Sequence, residues 1–337
     1  MNPQSSLPPL IGSAPAFQGM LEQVSRLAPL DRPILVVGER GTGKELVAAR
    51  LHYLSRRWDR PFVKLNCAAL SESLLESELF GHEAGAFTGA ARRRPGRFEA
   101  ADGGSLFLDE IATASSRVQE KLLRVVEYGE YERLGGSDTL RVDTRVIGAT
   151  NADLPAMAEA GGFRADLLDR LAFDVVTVPP LRARRDDIPL LAEHFGMAMA
   201  RELGWKLFPG FTPSALELLL GHDWPGNVRE LRNVVERAVG RAERSDRPVG
   251  GIVLDPFRSP WRPERPTAAA AAAQAPPAGP APAPGDFAEC VAAFESGLLE
   301  DALRRERFNQ KATAAALGLS YHQLRRLLRR HGLQAGP

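Results

Sequence analysis

A short apolar run that leads into a glycine-rich loop constrains the fold of this chain more than any other feature. Residues 34–37 read ILVV, the next eight read GERGTGKE, and an apolar helical pattern follows over residues 46–54. In such a strand–loop–helix, glycines let backbone N–H groups turn toward phosphates, and the helix start and a lysine add positive charge. The spacing is that of a P-loop and predicts phosphate binding through Gly38, Glu39, Arg40, Gly41, Thr42, Gly43, Lys44 and Glu45.

A second motif ends another predicted strand further along the chain. Residues 105–110 read SLFLDE, a buried strand that ends in two carboxylates. Asp109 is placed to take Mg²⁺ through water, and Glu110 to polarise the water that attacks a γ-phosphate. Position 45 is Glu where the general P-loop motif has Ser or Thr on the metal, so Mg²⁺ must rely more on carboxylates and water elsewhere. Together the two motifs predict hydrolysis of a nucleoside triphosphate.

Apolar runs alternate with helical patterns through the first half of the chain. The runs lie at residues 33–37, 62–65, 105–108, 145–149 and 173–176. Short apolar runs between helices indicate buried strands of a parallel sheet, which makes this part an α/β core. After residue 180 no further strand is predicted, and the helical patterns at 187–203 and 213–220 indicate a smaller helical lid.

Composition then divides the chain into segments. From about Pro256 to Gly285 the residues are mostly proline and alanine with almost nothing to bury, which indicates a semi-rigid, disordered linker. We therefore expect a short tail at 1–9, the α/β core at 10–178, the helical lid at 179–243, the linker at 244–285 and an all-α domain at 286–337.

The overall composition is that of an ordinary globular protein without a membrane-spanning segment. The net charge of +1 argues neither for nor against nucleic acid, so local charge must decide that point. No apolar run approaches the roughly 20 residues of a membrane helix, and the amino terminus lacks the pattern of a secretion signal. Cys67 and Cys290 stand alone, outside any disulfide or zinc pattern. We expect a cytoplasmic protein without membrane insertion.

Two positions at predicted strand ends fit nucleotide hydrolysis, each with a simpler alternative. Asn66 is placed to hydrogen-bond Glu110 and hold it away from water, although a turn-forming asparagine explains it equally well. Asn151, with Thr150 before it, is placed to sense the γ-phosphate, and a turn asparagine is again the alternative.

Three arginines fit the same reaction. Arg164 and Arg170 have the character of residues that complete the charge of a phosphoryl-transfer transition state from a neighbouring subunit. Surface pairing with Asp166 or Asp169 is an alternative of similar weight. Arg229, on the first turn of a predicted lid helix, is placed to reach the nucleotide across the cleft between core and lid.

The end of the chain combines positive charge with a helix-turn-helix pattern. Residues 301–331 contain eight Lys or Arg and two acidic residues, which suits a phosphate backbone. Residues 310–320 and 321–330 indicate two helices about a glycine turn, the second entering the major groove, with a merely solvated charged helix as the alternative. Ser320 is expected to cap that helix, and the candidate DNA contacts are Ser320, Tyr321, His322, Gln323, Arg325 and Arg326.

Ordered blocks of sequence resemble the AAA+ domain of bacterial sigma-54-dependent transcription activators. They read GERGTGKE, LNCAAL, SELFGHEAGAFTGA, ADGGSLFLDE, KLLRVVEYGE, FRADLLDRL, PPLRARRDDI and WPGNVRELRNVVERA and cover roughly residues 10–242. Glu45 is usual in that family. The segment after the linker resembles the Fis-type DNA-binding domain that ends these activators, in which the preceding helix, here 287–305, helps to form a dimer on two DNA half-sites.

The resemblance implies a use for residues 85–90, GAFTGA, which otherwise suggest only a flexible glycine loop with a buried phenylalanine. In the family this segment is the tip of a surface loop that touches the sigma-54 subunit of RNA polymerase, which would involve Gly85, Ala86, Phe87, Thr88, Gly89 and Ala90. ATP hydrolysis would then remodel the polymerase from a closed to an open promoter complex. A second loop, residues 134–138, is expected to support the first.

The resemblance also implies a ring, usually a hexamer, with ATP and Mg²⁺ between subunits. Arg164 and Arg170 would be arginine fingers acting on the neighbouring subunit, Asn66 the switch residue and Arg229 the lid sensor. Leu168-Asp169 departs from the aromatic pair often found there, which leaves the packing of the finger helix open.

Only about ten residues precede the core, so we expect control by a separate protein. Among family members without a control domain, the chain most resembles activators of the phage-shock operon, on which an inhibitory partner, phage shock protein A, acts. Trp58, in an Arg-Arg-Trp-Asp turn, is the candidate contact for that partner, and a tryptophan folded back on the sheet is the alternative. Two other functions stay open: a DNA-binding regulator with a relic ATPase fold, and an AAA+ ring that acts on other substrates.

Overall fold

The computed structural model describes residues 9–87, 89–90, 92–242, 245–257, 261, 287–306 and 308–333, with the backbone only at 287–290. Thr88 and most of the 1–9 tail and the 244–285 linker lie outside the described residues. The chain forms two compact units that divide between Pro256 and Phe257.

A parallel sheet forms the centre of the first unit. The strands in this part of the chain are β1 Ile34–Val37, β2 Phe62–Asn66, β3 Ser105–Asp109, β4 Glu130–Glu132, β5 Thr139–Arg141, β6 Arg145–Thr150 and β7 Val175–Thr177. Five of them form the sheet in the order β2-β3-β6-β1-β7, and all neighbouring pairs are parallel. The predicted parallel sheet is therefore confirmed. β4 and β5 form a separate antiparallel hairpin.

Helices cover the sheet and build the lid and the second unit. In the first unit they are α1 Pro15–Leu27, α2 Lys44–Tyr53, α3 Glu72–Phe80, α4 Arg97–Ala100, α5 Ser116–Tyr128, α6 Leu154–Glu159, α7 Ala165–Leu171, α8 Asp187–Glu202, α9 Pro213–Gly221 and α10 Asn227–Gly240. The second unit contains α11 Phe287–Arg305, α12 Gln310–Ala316 and α13 Tyr321–Arg330. Within the described residues, no helix has both the length and the apolar character needed to cross a membrane.

Alternating side chains of the strands feed two separate cores, one on each face of the sheet. Leu106 and Leu108 of β3 pack in the core that α3, α4, α5 and α7 complete. Phe107, between them, points to the opposite face and packs in the core formed with α1 and α2. Because successive side chains of a strand face opposite sides, burial on both faces explains why β3 is apolar at three consecutive positions, Leu106 to Leu108.

The carboxyl ends of the strands bring the predicted site residues to one edge of the sheet. The register pairs Asn66 with Asp109 and Val37 with Thr150. The P-loop follows β1 directly, and its Gly38 N–H donates to the Thr150 carbonyl (3.2 Å). A nucleotide site at this edge is the usual arrangement for parallel α/β sheets.

The lid packs about its own core and extends further along the chain than composition indicates. Trp224 is fully buried in that core, together with residues of α8, α9 and α10. Val249 is also buried; its N–H donates to Gly210 O (2.9 Å) and its carbonyl accepts from Thr212 N (3.0 Å). Leu254 packs against the same core. Ordered packing thus continues past residue 243, because apolar residues recur among the polar ones up to Leu254.

Two local features differ from the sequence expectations. α2 begins at Lys44, two residues before the predicted start, because the helix opens directly from the P-loop. The β4–β5 hairpin was not predicted, since each strand has only three residues, with polar or charged residues on either side of Tyr131 and Leu140. The hairpin carries the 134–138 loop.

The second unit is a small helical domain. Its core consists of Leu299, Leu303, Ala314, Leu324 and Leu328, with Leu327 partly buried against it. Leu324, Leu327 and Leu328 of α13 therefore face this core. A glycine with positive φ, Gly318, lies in the turn between α12 and α13, as the helix-turn-helix pattern predicts.

Candidate nucleotide site and contact surfaces

The P-loop folds closely around the lysine at its end. Lys44 is 8% exposed, and its Nζ donates to the carbonyls of Gly38 (2.8 Å) and Glu39 (3.3 Å). Burial lowers the pKa of Lys44, while the charges of Glu110 and Asp109 act in the opposite direction. The lysine of the first motif and the carboxylates of the second therefore lie close enough to interact electrostatically.

Glu45 does not point its carboxylate at the lysine before it. Its Oε1 accepts a hydrogen bond from Lys64 Nζ (2.9 Å) on β2, and both side chains are about half exposed. This pairing gives Glu45 a role at the surface of α2. With its carboxylate bound to Lys64, Glu45 leaves metal binding to other residues.

Two carboxylates follow β3 in different backbone conformations. Asp109 continues the strand, whereas Glu110 has a φ of 52°, a left-handed value that is uncommon outside glycine. The Glu110 N–H donates to Asp109 Oδ1 (3.1 Å), which turns the chain sharply at this point. Strained backbone conformations of this kind occur often at residues of active sites.

Asn66 contacts Asp109 rather than the partner that the sequence analysis expects. Its Nδ2 donates to Asp109 Oδ2 (3.4 Å), and its Oδ1 caps the following turn by accepting from Ala68 N (2.9 Å). A bond from Asn66 to Glu110 is absent from the described hydrogen bonds. The reason is that β2 and β3 place Asn66 opposite Asp109 in register.

The two residues that end β6 differ in exposure. Thr150 is fully buried, and its Oγ1 accepts from Ala152 N (3.0 Å), so its hydroxyl stabilises the turn. Asn151 is exposed beside the P-loop strand. The position predicted to sense the γ-phosphate is thus open to solvent.

Arg164 and Arg170 both lie on the surface, where carboxylates of the same chain pair with them. Arg164 binds Asp166 through two nitrogens (2.6 and 3.0 Å), one of the pairings that the alternative interpretation names. Arg170 pairs with Glu127 of α5 (2.6 Å), not with Asp169. Both guanidinium groups are more than 40% exposed and remain accessible to a neighbouring molecule.

The start of α10 packs directly on the P-loop. The Arg229 N–H donates to Gly41 O (3.3 Å), and a Cβ at Gly41 would lie 2.2 Å from Gly226 O. Only glycine fits at position 41, where φ is 78° and the lid backbone is in contact. The Arg229 side chain lines a cavity of about 290 Å³ together with Arg40.

The GAFTGA segment forms a tight exposed turn. Gly85 and Gly89 have φ values of 83° and 105°, and the Gly85 N–H donates to Ala90 O (2.8 Å). Phe87 is 43% exposed, so it is not the buried phenylalanine of the simpler interpretation. Its ring meets the edge of His82 at 5.0 Å between centroids. Thr88 lies outside the described residues.

A second loop braces the first. A Cβ at Gly135 would lie 2.8 Å from the Ala86 Cβ, and the Glu83 N–H donates to Leu134 O (3.0 Å). Arg133, 6% exposed, donates to Glu83 Oε1 (2.9 Å) and also to both carboxylate oxygens of Glu99 in α4. The expected support by residues 134–138 is therefore present in the packing.

Trp58 is 60% exposed, which rules out the alternative of a ring folded on the sheet. The turn that carries it is fixed by its neighbour Arg57, whose guanidinium binds Asp31 (2.6 Å), Asp143 (2.7 Å) and the Asp143 carbonyl (2.8 Å). A large apolar side chain on a rigid exposed turn is typical of a protein contact.

The helix-turn-helix presents a charged exposed face. Ser320 caps α13 by accepting from Gln323 N (3.3 Å), and Gln323 Oε1 accepts from Ser320 N (2.8 Å). Because Ser320 and Gln323 bond each other in this way, part of their hydrogen-bonding capacity is not free for contacts with DNA bases. Arg325 stacks over the Tyr321 ring at 5.9 Å. The remaining candidates, His322 and Arg326, are exposed.

Comparison with known proteins shows to which protein family the chain belongs. Residues 10–177 match the sigma-54 interaction domain, residues 182–247 the AAA+ ATPase lid domain, and residues 291–331 the Fis family of bacterial regulatory proteins. The Psp operon transcriptional activator of Escherichia coli (strain K12) is 59% identical over 322 residues, which cover 96% of this chain and 97% of that protein. The chain belongs to the family of sigma-54-dependent transcriptional activators.

Other members of the family share parts of the chain. Transcriptional regulatory protein ZraR of Salmonella typhimurium is 56% identical over 230 residues, 68% of this chain and 52% of that protein. The crystal structure of NtrX from Brucella abortus in complex with ATP is 34% identical, with a TM-score of 0.68 over 96% of this chain and 70% of that chain. The predicted fold class, an AAA+ core with a lid and a Fis-type helix-turn-helix, is confirmed.

The donor groups of this activator suit Mg²⁺ held mainly by nucleotide and water. Asp109 offers carboxylate oxygens at the strand end, close to the charge of Lys44. Among the described residues there is no cluster of three or more His, Cys, Asp or Glu side chains that would form an all-protein metal cage. Mg²⁺ in phosphate-transfer sites is usually bound in this way, by one or two carboxylates plus phosphate oxygens.

Two lid residues that reach the P-loop were not predicted from the sequence. Arg182 and Asn227 contact Glu39, although 143 and 188 residues separate them from it. No local pattern connects such distant positions. The signal that the sequence offers is that both lie in blocks that carry the family resemblance, PPLRARRDDI and WPGNVRELRNVVERA.

Proposed function

We propose that this activator uses ATP hydrolysis to convert a sigma-54 RNA polymerase promoter complex from closed to open. The observation that carries the proposal is the GAFTGA turn, which is exposed, braced by a second loop, and built on the same domain as the P-loop. A segment without charge or periodicity, held so firmly at the surface, is suited to contact another protein.

The nucleotide chemistry is assigned to residues at the carboxyl edge of the sheet. The P-loop N–H groups and Lys44 would bind the ATP phosphates, and Asp109 would hold Mg²⁺, which neutralises phosphate charge when bound. Glu110 would polarise the attacking water, with Asn66 orienting the Asp109 carboxylate from the neighbouring strand. Asn151 would sense the γ-phosphate from the end of β6.

A ring, most simply a hexamer, would complete the site from the neighbouring subunit. Arg164 and Arg170 are exposed and paired with carboxylates of their own chain. In the ring they would exchange these partners for the phosphates of ATP bound to the next subunit. Arg229 would contact the nucleotide from the lid, because the hydrogen bond from its backbone to Gly41 holds it beside the P-loop.

The second unit would bind enhancer DNA. Its exposed α13 face would enter the major groove, with Arg325 and Arg326 reaching bases or phosphates. Val291, Phe294 and Leu298 of α11 are exposed apolar residues spaced three and four apart, which makes one helix stripe suited to a dimer. A dimer would read two half-sites of a roughly palindromic operator.

The proposed target is a phage-shock operon, as in the Escherichia coli relative named for the Psp operon. Control would come from an inhibitory protein, phage shock protein A, which would contact Trp58. The protein would then act in the cytoplasm, where polymerase and DNA are found.

A variant of the GAFTGA turn tests the proposal. Thr88→Ala should hydrolyse ATP at about the wild-type rate but form no open complex, because the turn lies outside the nucleotide site. Open complexes are measured by permanganate reactivity of unpaired thymines, and hydrolysis by phosphate release. If Thr88→Ala protein opens the promoter as well as wild type does, the turn is not the effector. An AAA+ ring with another substrate would then be favoured.

A further inference from the structure

A carboxylate of the P-loop is bound by an arginine of the lid. Glu39, the second residue of the loop, accepts two hydrogen bonds from Arg182, at 2.8 Å to Oε2 and 2.5 Å to Oε1. Arg182 lies in a short 3-10 helix, Leu181–Ala183, at the start of the lid. This two-point geometry is the strongest form of carboxylate recognition by arginine.

A buried asparagine reinforces the same contact. Asn227 is fully buried with a φ of 53°, and its Nδ2 donates to Glu39 Oε2 (3.0 Å) and Arg40 O (3.1 Å). Its Oδ1 accepts from Leu181 N (2.8 Å), next to Arg182. One amide therefore links the P-loop, the start of the lid and the start of α10.

Glu39 poses an electrostatic problem for a phosphate-binding loop. The hydrogen bonds from Arg182 and then from Asn227 lower its pKa to about 2, so the carboxylate is charged at neutral pH. A negative charge in the loop repels a triphosphate unless a cation compensates for it. The cation in direct contact with Glu39 among the described ion pairs is Arg182.

We propose that Arg182 is a positioning residue that neutralises Glu39 and fastens the P-loop to the lid, so that an anionic nucleotide meets Lys44 and Arg229 without a competing negative charge. The inference rests on the proposed ATPase function. It assigns Glu39 to the core–lid contact through its side chain, while its backbone N–H stays with the phosphate loop.

The proposal predicts an effect on affinity rather than on chemistry. Arg182→Ala leaves Glu39 unpaired beside the nucleotide, whereas Lys44, Asp109 and Glu110 are unchanged. The dissociation constant for the fluorescent analogue mant-ATP, and KM for ATP, should rise about fivefold, the upper end for a partly exposed charge pair. The turnover number at saturating ATP should change less than twofold.

A double-mutant cycle separates neutralisation from simple loosening of the lid. In the Glu39→Gln background no charge needs compensation, so Arg182→Ala should raise the mant-ATP dissociation constant less than twofold relative to Glu39→Gln alone. An undiminished fivefold effect in that background would overturn the proposal, because the loss would then come from packing. Arg182→Lys, which keeps the charge, should bind mant-ATP much more tightly than Arg182→Ala, and equal weakness would also contradict the proposal.

Arg185→Ala is a matched control within the same segment. Arg185 is 46% exposed in its side chain against 45% for Arg182, and it pairs with Asp223 of the lid (2.8 Å) without reaching the P-loop. It should bind mant-ATP as wild type does. The two claims fail separately: a wild type that binds mant-ATP but opens no promoter contradicts the function, whereas Arg182→Ala with wild-type affinity contradicts the inference.

Discussion

We propose that nucleotide binding depends on the charge of Lys44. The side chain is held inside the P-loop by the carbonyls of Gly38 and Glu39, near the carboxylates of Asp109 and Glu110. A cation fixed in this way can meet phosphate oxygens without reorganising, because its orientation is set before binding.

We therefore expect the P-loop lysine to be needed for nucleotide binding and the Glu110 carboxylate to be needed for hydrolysis. Lys44→Ala should abolish mant-ATP binding, because no other buried cation replaces it in the described P-loop. Glu110→Gln should bind mant-ATP but hydrolyse ATP about a hundredfold or more slowly, as expected when a general base is removed. Binding by fluorescence and hydrolysis by phosphate release measure the two effects. A Glu110→Gln protein with near-normal turnover would show that another group activates the water.

A buried histidine makes the first unit sensitive to acid. His52 is 1% exposed, stacks on Phe62 at 4.7 Å between ring centroids, and bonds Ser105 Oγ through Nδ1 (3.0 Å). Burial lowers its pKa to about 4, whereas the unfolded chain takes up the proton near pH 6.5. The folded state is thus stabilised fully above pH 6.5 and progressively less as the pH falls toward 4.

The free energy of unfolding should fall by on the order of 2 kcal/mol between pH 6.5 and 4 through His52 alone. Urea unfolding of the full chain at several pH values measures this slope. His52→Gln, which keeps a donor for Ser105 and cannot be protonated, should show a smaller slope over the same range. A slope unchanged in His52→Gln would mean that the acid sensitivity comes from other groups.

At the scale of elements, the GAFTGA turn depends on its brace. Gly135 has a φ of 73°, and any side chain there would collide with Ala86. Gly135→Ala should therefore shift the turn and lower open-complex formation about tenfold or more, since small misplacements of a functional group cost that much. ATP hydrolysis should stay near the wild-type rate.

Gly161 offers the matched control for that prediction. Its φ is 74°, but no atom lies within 4 Å of an added Cβ. Gly161→Ala carries the same backbone strain without the contact, so it should form open complexes normally. Equal defects in both variants would trace the effect to strain alone and contradict the bracing role.

The elements themselves were predictable to different degrees. The inner strands β1, β3 and β6 stand out in sequence because burial on both faces makes them largely apolar, whereas the edge strands β2 and β7 are only partly buried. The hairpin does not, because its apolar contact is mainly Tyr131, which reaches Phe80 and Phe98 across the core. The contact of Glu39 with Arg182 and Asn227 depends on the lid folding back over the P-loop, and no local pattern encodes it.

At the level of the whole molecule, the exposed turn that carries Trp58 offers an accessible contact for an inhibitory protein. Arg57 holds this turn in place, so the indole is presented without an ordering cost on binding. Trp58→Ala should leave basal ATP hydrolysis intact but make it insensitive to added phage shock protein A. Tyr128→Ala, another exposed aromatic at 66% exposure, should remain inhibited. Inhibition retained in Trp58→Ala would place the inhibitor contact elsewhere.

We propose that ATP hydrolysis in the ring drives promoter opening by sigma-54 polymerase. The most direct test mixes the full chain with closed complexes of sigma-54 polymerase and measures permanganate-reactive thymines with ATP or with a non-hydrolysable analogue. We predict opening with ATP and not with the analogue, and none with polymerase carrying a different sigma factor. Rapid ATP hydrolysis that leaves the sigma-54 complex closed, or opening without hydrolysis, would contradict this function.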